Sequence, residues 1–277
     1  MLLHFEGVPA PVSFVDCDHL LPFLVPPLTS WPNAVWDEDP AEPVLTLTRT
    51  PTGYRLFAGS SDPEMPSDYV DDYEAIASFL AELYMVFIDA NPERLCIHAA
   101  AMKWEDGLLV FPASGKAGKS TLVTHGAAAG ATVFTDDVLA IKENEGLALS
   151  LGVAPRLRLP LPGNVTEDFR AFLREREILG NAYGQYVALR PGEIATFGEA
   201  APIAAILLLD RISEGPPTLE TIGKSEVLRD LMGRNFTHGL DAETKLQRLL
   251  KVAEAGTCYR LRYADCESGI RLLREIA

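Results

Sequence analysis

Cysteine is scarce in this 277-residue chain, and the four that occur, Cys17, Cys96, Cys258 and Cys266, stand far apart. Without a CxxC pair, neither a zinc site nor a disulfide framework is implied. The five histidines, His4, His19, His98, His125 and His238, are equally scattered and form no legible metal cluster. Long hydrophobic runs are missing too. The longest, Ala200 to Leu209, covers ten residues and already contains Pro202, too short to span a bilayer. The opening Met1-Leu2-Leu3-His4-Phe5-Glu6 lacks a basic segment followed by a hydrophobic one, so the expectation is a cytoplasmic protein with reduced thiols and no membrane partner.

Positive charge is nearly absent from the first third. Residues 1 to 90 carry only Arg49 and Arg55 against fifteen acidic side chains, whereas residues 91 to 277 are close to balanced, with 22 basic and 24 acidic groups. The net charge of −15 therefore belongs to the N-terminal segment. Such a segment repels nucleic acid; it either attracts a basic partner or serves as a solvated face.

Composition divides the chain in the same place. Eleven of the twenty prolines lie in residues 1 to 66, which excludes long helices there. Val44 to Arg49 and Tyr54 to Ala58 flank Thr50-Pro51-Thr52-Gly53 as a β-hairpin. Asp71 or Asp72 is placed to cap a helix whose apolar face is Ile76, Ala77, Leu80, Leu83, Tyr84, Phe87 and Ile88, stopped by Pro92. We therefore expect a small acidic, Pro-rich, β-rich domain over 1–90, with a connecting helix, and a second domain over 91–277. In the second, strands are expected at 95–102, 107–112, 131–135, 138–142 and 147–151. Strands this closely spaced need antiparallel hairpins, so the class is α/β with a mixed sheet. Residues 163 to 199, rich in glycine, predict one helix at 167–177 and otherwise a mobile lid. Helices at 225–232 and 242–255, the latter with Leu246, Leu249 and Leu250 as apolar positions, a strand at 257–263 and a final helix complete the chain.

What is present in strength is a phosphate-binding loop, Ala113-Ser114-Gly115-Lys116-Ala117-Gly118-Lys119-Ser120-Thr121. In the GxxxxGK[ST] pattern, small residues let backbone N–H groups close on phosphate oxygens, the lysine adds charge, and the hydroxyl meets the metal. Ala113 replaces the first glycine, so the chain must leave the preceding strand at ordinary φ. Gly107 to Phe111 reads as the entering strand, and Ser120 to His125 opens a helix whose N-terminus faces the anion. Ser114 to Thr121 thus form the expected ATP site, with Ser120 on Mg²⁺. Sixteen residues after Ser120 come Asp136-Asp137, between the apolar segments 131–135 and 138–141. Two adjacent carboxylates on a strand end point to opposite sides and so take different jobs, one as metal ligand and one as base. The apolar run ending in Asp210 is a rival for the metal carboxylate; a local ion pair between Asp210 and Arg211 is expected instead. Arg156 and Arg158 alternate with apolar residues, so a strand would present both on one side, either to a phosphoryl group or to solvent.

Cys96-Ile97-His98-Ala99-Ala100-Ala101, the hairpin into the loop, and Phe134-Thr135-Asp136-Asp137 resemble the catalytic domain of HPr kinase/phosphorylase. They resemble still more the HPr-kinase-related proteins, including kinases that modify lasso-peptide precursors. Lys224 to Leu228 and Cys258 to Leu261 add to the likeness, which covers roughly residues 90–277. It implies a phosphoenolpyruvate carboxykinase-like fold, Lys119 on the β- and γ-phosphates, Asp136 as base, Asp137 as metal ligand, and His98 at the edge of the site. A histidine in an apolar strand can equally be a core residue. The Glu-Val-Arg-Gly-type signature of the HPr enzymes is replaced here by Pro155-Arg156-Leu157-Arg158-Leu159-Pro160, so HPr itself is not implied as substrate. The expected activity is Mg²⁺-ATP-dependent phosphorylation of a serine-type hydroxyl on a peptide or small protein, such as a precursor peptide. A small-molecule kinase and a non-catalytic ATP-responsive binding protein are the alternatives. Relatives often assemble, so a homo-oligomer is also expected.

Overall fold

The computed structural model describes residues 1–28, 30–37, 42–58, 67–105, 107–113, 117–142 and 146–276. The N-terminal sheet contains β1 (Leu2–Phe5), β2 (Val12–Val15), β3 (Asn33–Val35), β4 (Leu45–Thr50), β5 (Gly53–Ala58) and β6 (Ser67–Tyr69), in the order β3-β1-β2-β4-β5-β6. The expected hairpin is β4–β5, in register from Leu45↔Ala58 to Thr50↔Gly53. A short helix, α1 (Leu21–Leu24), precedes the long α2 (Asp72–Ala90), which Asp71 caps by accepting the Glu74 N–H. Every residue of the expected apolar face of α2 is buried. That face does not separate two cores. It packs in one cluster with Phe5, Phe14 and Trp31 and also with Cys96, Val138, Val153 and Tyr186 from the second half of the chain.

The second sheet is built on β7 (Leu95–Trp104) and β8 (Gly107–Pro112), followed by α3 (Lys119–Ala128), β9 (Thr132–Thr135), β10 (Val138–Ile141) and β11 (Leu147–Leu149). Next come β12 (Arg156–Arg158), α4 (Glu167–Arg174), β13 (Glu177–Gly180) and β14 (Gly184–Val187). The chain ends with β15 (Ala200–Arg211), β16 (Thr218–Thr221), α5 (Lys224–Met232), α6 (Ala242–Ala255), β17 (Thr257–Tyr263) and α7 (Cys266–Leu273). The sheet is mixed: β15 runs parallel to β8 and β17, while β7 is antiparallel to β8, β9 and β10. Alternation sorts its side chains into two layers. Ala100, Met102, Leu109 and Phe111 meet α3 and α7, whereas Ile97, Ala99, Leu108 and Val110 meet α5 and α6. A strand pair covered on both faces must be apolar throughout, which explains the unbroken character of 95–102 and 107–112.

Not every expectation about the fold holds. Residues 163–199 are not a loose cover, because β13 and β14 pair with each other and β14 pairs with β12 in a three-stranded sheet. Val187 and Leu189 are buried in the main core, and that burial fixes the segment. Leu246 and Leu250 face solvent, because α6 turns Leu249, Val252 and Ala253 inward instead. The four cysteines are free and buried, and burial pushes the Cys96 and Cys266 thiols up to about 12. Among the described residues, no helix is long and apolar enough to cross a membrane.

α3 is clamped from outside by α4: the buried His125 ring lies flat on Phe169, with centroids 3.4 Å apart and planes 10° apart. Burial lowers the His125 pKa to about 4, despite the opposing charge of Asp265. The unfolded chain therefore takes up this proton first as pH falls. The neutral ring's contribution is complete above about pH 6.5 and is lost progressively down to about pH 4, to a total of about 3 kcal/mol. Urea unfolding of wild type and His125→Phe across this window is expected to show a weaker pH dependence in the variant; parallel curves would contradict the assignment.

Candidate active site

Register alone brings the chemistry together. Ala99 pairs with Pro112, so His98 of β7 lies beside Ala113, where β8 ends and the phosphate-loop segment starts. β8, β15 and β17 run parallel, and the N-terminus of α3 follows the end of β8, at the carboxyl ends of these strands, where open α/β sheets bind ligands. Gly118 caps α3 with φ 88°, a left-handed conformation that a side chain would strain. Ala113 shows no positive φ, in line with the ordinary exit expected of it. Ser114, Gly115 and Lys116 lie outside the described residues. Ala117, Gly118, Lys119, Ser120 and Thr121 all line a cleft of about 300 Å³, together with His98, Asp136, Asp137, Arg156 and Arg158.

β9 and β10 are in effect one strand along β7, interrupted at Asp136-Asp137. The chain bends there, although the Asp137 carbonyl still accepts the Ala99 N–H, and both carboxylates line the same cleft rather than opposite sides. Their partners differ. Asp136 is buried and accepts the Arg156 N–H at 2.9 Å. Asp137 Oδ1 lies 2.9 Å from His98 Nδ1, and among the described residues that nitrogen makes no well-aligned hydrogen bond. On the far side of that ring, Nε2 meets Lys119 Nζ at 2.6 Å, and the same ammonium donates to the Ala113 carbonyl at 2.6 Å. His98 is thus a site residue and not a self-contained core histidine.

Burial lowers the Lys119 pKa to about 8, although Asp137 and Asp136 pull the other way. Burial, reinforced by the neighbouring Asp137, raises Asp136 to about 6. Asp137 feels the same burial, but His98, Lys119 and Arg156 outweigh it and hold the carboxyl below its ordinary range. Arg156 loses solvent to burial, yet Tyr186, Tyr73 and the two carboxylates together keep its pKa raised. A buried charge needs such compensation.

β12 presents Arg156 and Arg158 to the cleft while Leu157 enters the core, as the alternation required. Asp210 is absent from the cleft lining. Its ion pair is not with Arg211 but with Arg262, directly opposite on β17 at 3.0 Å, because neighbouring side chains on one strand point apart. Arg211 instead faces the cleft. The sequence reading also missed Ala81, Tyr84 and Tyr186 as cleft residues. Tyr84 was legible only as part of an apolar helical face, and Tyr186 carried no signal of its own.

The donor set suits Mg²⁺. Ser120 and the Asp pair offer hard oxygens, and magnesium is commonly held by one or two carboxylates plus substrate phosphates. Among the described residues, no group of three or more His, Cys, Asp or Glu could hold a metal.

No family model matches the sequence, and no curated protein matches it. Among solved structures, the chain is similar to the Hpr(Ser) kinase/phosphatase from Coxiella burnetii at 10% identity and a TM-score of 0.29, over 65% of this chain and 94% of that one.

The wall behind Arg156 depends on a glycine. A Cβ on Gly184 would overlap the Tyr73 hydroxyl and fall 2.9 Å from the Leu157 carbonyl oxygen. Gly184→Ala is expected to cost about 1–3 kcal/mol in urea unfolding. Combining it with Tyr73→Phe should recover part of that loss. No recovery would place the strain at the ring Cζ and the Leu157 carbonyl, 2.8 and 2.9 Å from that Cβ, rather than at the hydroxyl.

Proposed function

We propose that this chain is a Mg²⁺-ATP-dependent kinase that transfers the γ-phosphoryl group to a serine-type hydroxyl of a peptide or small protein. We read residues 91–277 as its catalytic unit, with a phosphoenolpyruvate carboxykinase-like arrangement, and residues 1–90 as an accessory domain. The observation carrying this reading is the convergence of Lys119, Asp136, Asp137, Arg156 and Arg158 on one cleft at the N-terminus of α3.

Phosphoryl transfer needs alignment and charge neutralisation more than covalent help. The N–H groups at the start of α3 receive phosphate oxygens, and Lys119 turns from the Ala113 carbonyl to the β- and γ-phosphates. Ser120 and Asp137 would hold Mg²⁺, which supplies countercharge to the phosphates and orients them. Asp136 takes the acceptor's proton while the acceptor oxygen bonds to the γ-phosphorus. The bond from that phosphorus to the departing ADP oxygen breaks in the same displacement. Arg156 and Arg158 face the charge that develops on the transferring group. The cleft is walled on one side by Ala77, Leu80, Ala81 and Tyr84 of α2, while 163–199 contributes Tyr186 to its lining, which favours an acceptor presented beside the N-terminal domain.

The test is incubation of wild type and Asp136→Asn with Mg²⁺ and γ-labelled ATP against a size-fractionated extract of the source cell. Label in a small polypeptide with wild type alone, with ATP binding retained in the variant, is the expected result. Label confined to a metabolite fraction would replace the acceptor class. ATP binding without transfer to any fraction would overturn the kinase reading in favour of a nucleotide-responsive binding protein.

A further inference from the structure

Two features beside the cap of α3, Arg211 on the cleft wall and Tyr263 behind it, belong to no role given so far. Tyr263, the last residue of β17, is fully buried, yet among the described residues its hydroxyl has no hydrogen-bond partner. It points at the cap of α3, 3.4 Å from where a Cβ on Gly118 would sit. Beside it, Arg211 ends β15 in direct register with Tyr263, and its Cδ and Nη1 lie 3.8 and 4.0 Å from the same Gly118 position. Arg211 is exposed, and among the described residues no carboxylate forms an ion pair with it; Asp210 next to it is committed to Arg262. A buried hydroxyl without a partner is costly, and an unpaired guanidinium over a helix N-terminus adds positive charge where the helix dipole already supplies it. Both arrangements are resolved by one kind of ligand, an anion with several oxygens at the start of α3.

We propose that Arg211 and Tyr263 bind the β-phosphate of the nucleotide, the non-transferred one that ADP carries and AMP lacks, Arg211 through its guanidinium and Tyr263 through its hydroxyl. The assignment rests on the nucleotide-binding reading of the cleft and gives that cleft a direction. The β12 wall places Arg156 against Asp136, where the phosphoryl group moves, and the Arg211 wall has no carboxylate beside it. The polyphosphate therefore enters along the ends of β15 and β17, and the α2 side is left to the acceptor. Gly118 is required here twice over, for its left-handed φ and because any side chain would come between Arg211, Tyr263 and the bound phosphate.

The experiment is calorimetric binding of ADP and of AMP, each with Mg²⁺, to wild type, Arg211→Ala, Arg211→Lys and Tyr263→Phe. Far-ultraviolet circular dichroism would confirm folding. Arg211→Ala is expected to weaken ADP about tenfold or more, Arg211→Lys less, and Tyr263→Phe by a few fold. AMP should change much less, a contrast that general damage to the fold would not produce. Wild-type binding of ADP with unchanged affinity in Arg211→Ala would overturn this inference and leave the kinase reading standing. Equal losses for ADP and AMP would also overturn it, since Arg211 would then act on another part of the nucleotide. Failure of wild type itself to bind ADP would overturn the nucleotide reading and this inference together.

Discussion

Lys119 is only 6% exposed, and an ammonium removed from water must be surrounded by groups that replace its hydration. Here the replacement comes from the Ala113 carbonyl on one side and His98, backed by Asp137, on the other. Those contacts tie the end of β8, the middle of β7, the start of α3 and the break between β9 and β10 to a single point. The arrangement is tense in a useful way. Burial has already brought the lysine to about 8, so a polyphosphate at the same spot is a better partner than a carbonyl and an imidazole nitrogen.

Everything else in the cleft follows from where the strands end. The parallel set β8, β15 and β17 delivers Ala113, Arg211 and Tyr263 to one edge, and β12 returns across it with Arg156 and Arg158. The carboxylates come from a different device. The chain bends at Asp136-Asp137 while the Asp137 carbonyl still accepts the Ala99 N–H of β7, and the two carboxylates share a cleft that a regular strand would have split between two faces. Their unlike surroundings then divide them. Asp136, buried and beside a like charge, is moved toward neutrality, and Asp137, beside His98 and Lys119, stays ionised. Separation of this kind suits a proton acceptor and a metal ligand, respectively.

The sequence was informative wherever a local rule governed the outcome. The hairpin of β4 and β5, the Asp71 cap, the strands around the loop, and the shared face of Arg156 and Arg158 all follow from turn chemistry, capping and alternation. It was uninformative where tertiary contact decided. Nothing local distinguishes a strand that runs through Asp136-Asp137 from one that breaks there. The glycines of 163–199 suggest mobility, whereas the buried Val187 and Leu189 between them enforce order. Leu246 and Leu250 looked like core because leucine is common in cores, but the face of α6 that packs is set by α5 and the sheet. Arg211 and Tyr263 lie 52 residues apart, and only the parallel pairing of β15 with β17 makes them neighbours.

The most direct measurement is a crystal structure of the chain with Mg²⁺ and ADP. The account expects the β-phosphate to lie against the backbone N–H groups at the start of α3, with Lys119 Nζ released from the Ala113 carbonyl and His98 to bind it. ADP bound elsewhere, or no ADP at saturating concentration with Lys119 still on the Ala113 carbonyl, would contradict it.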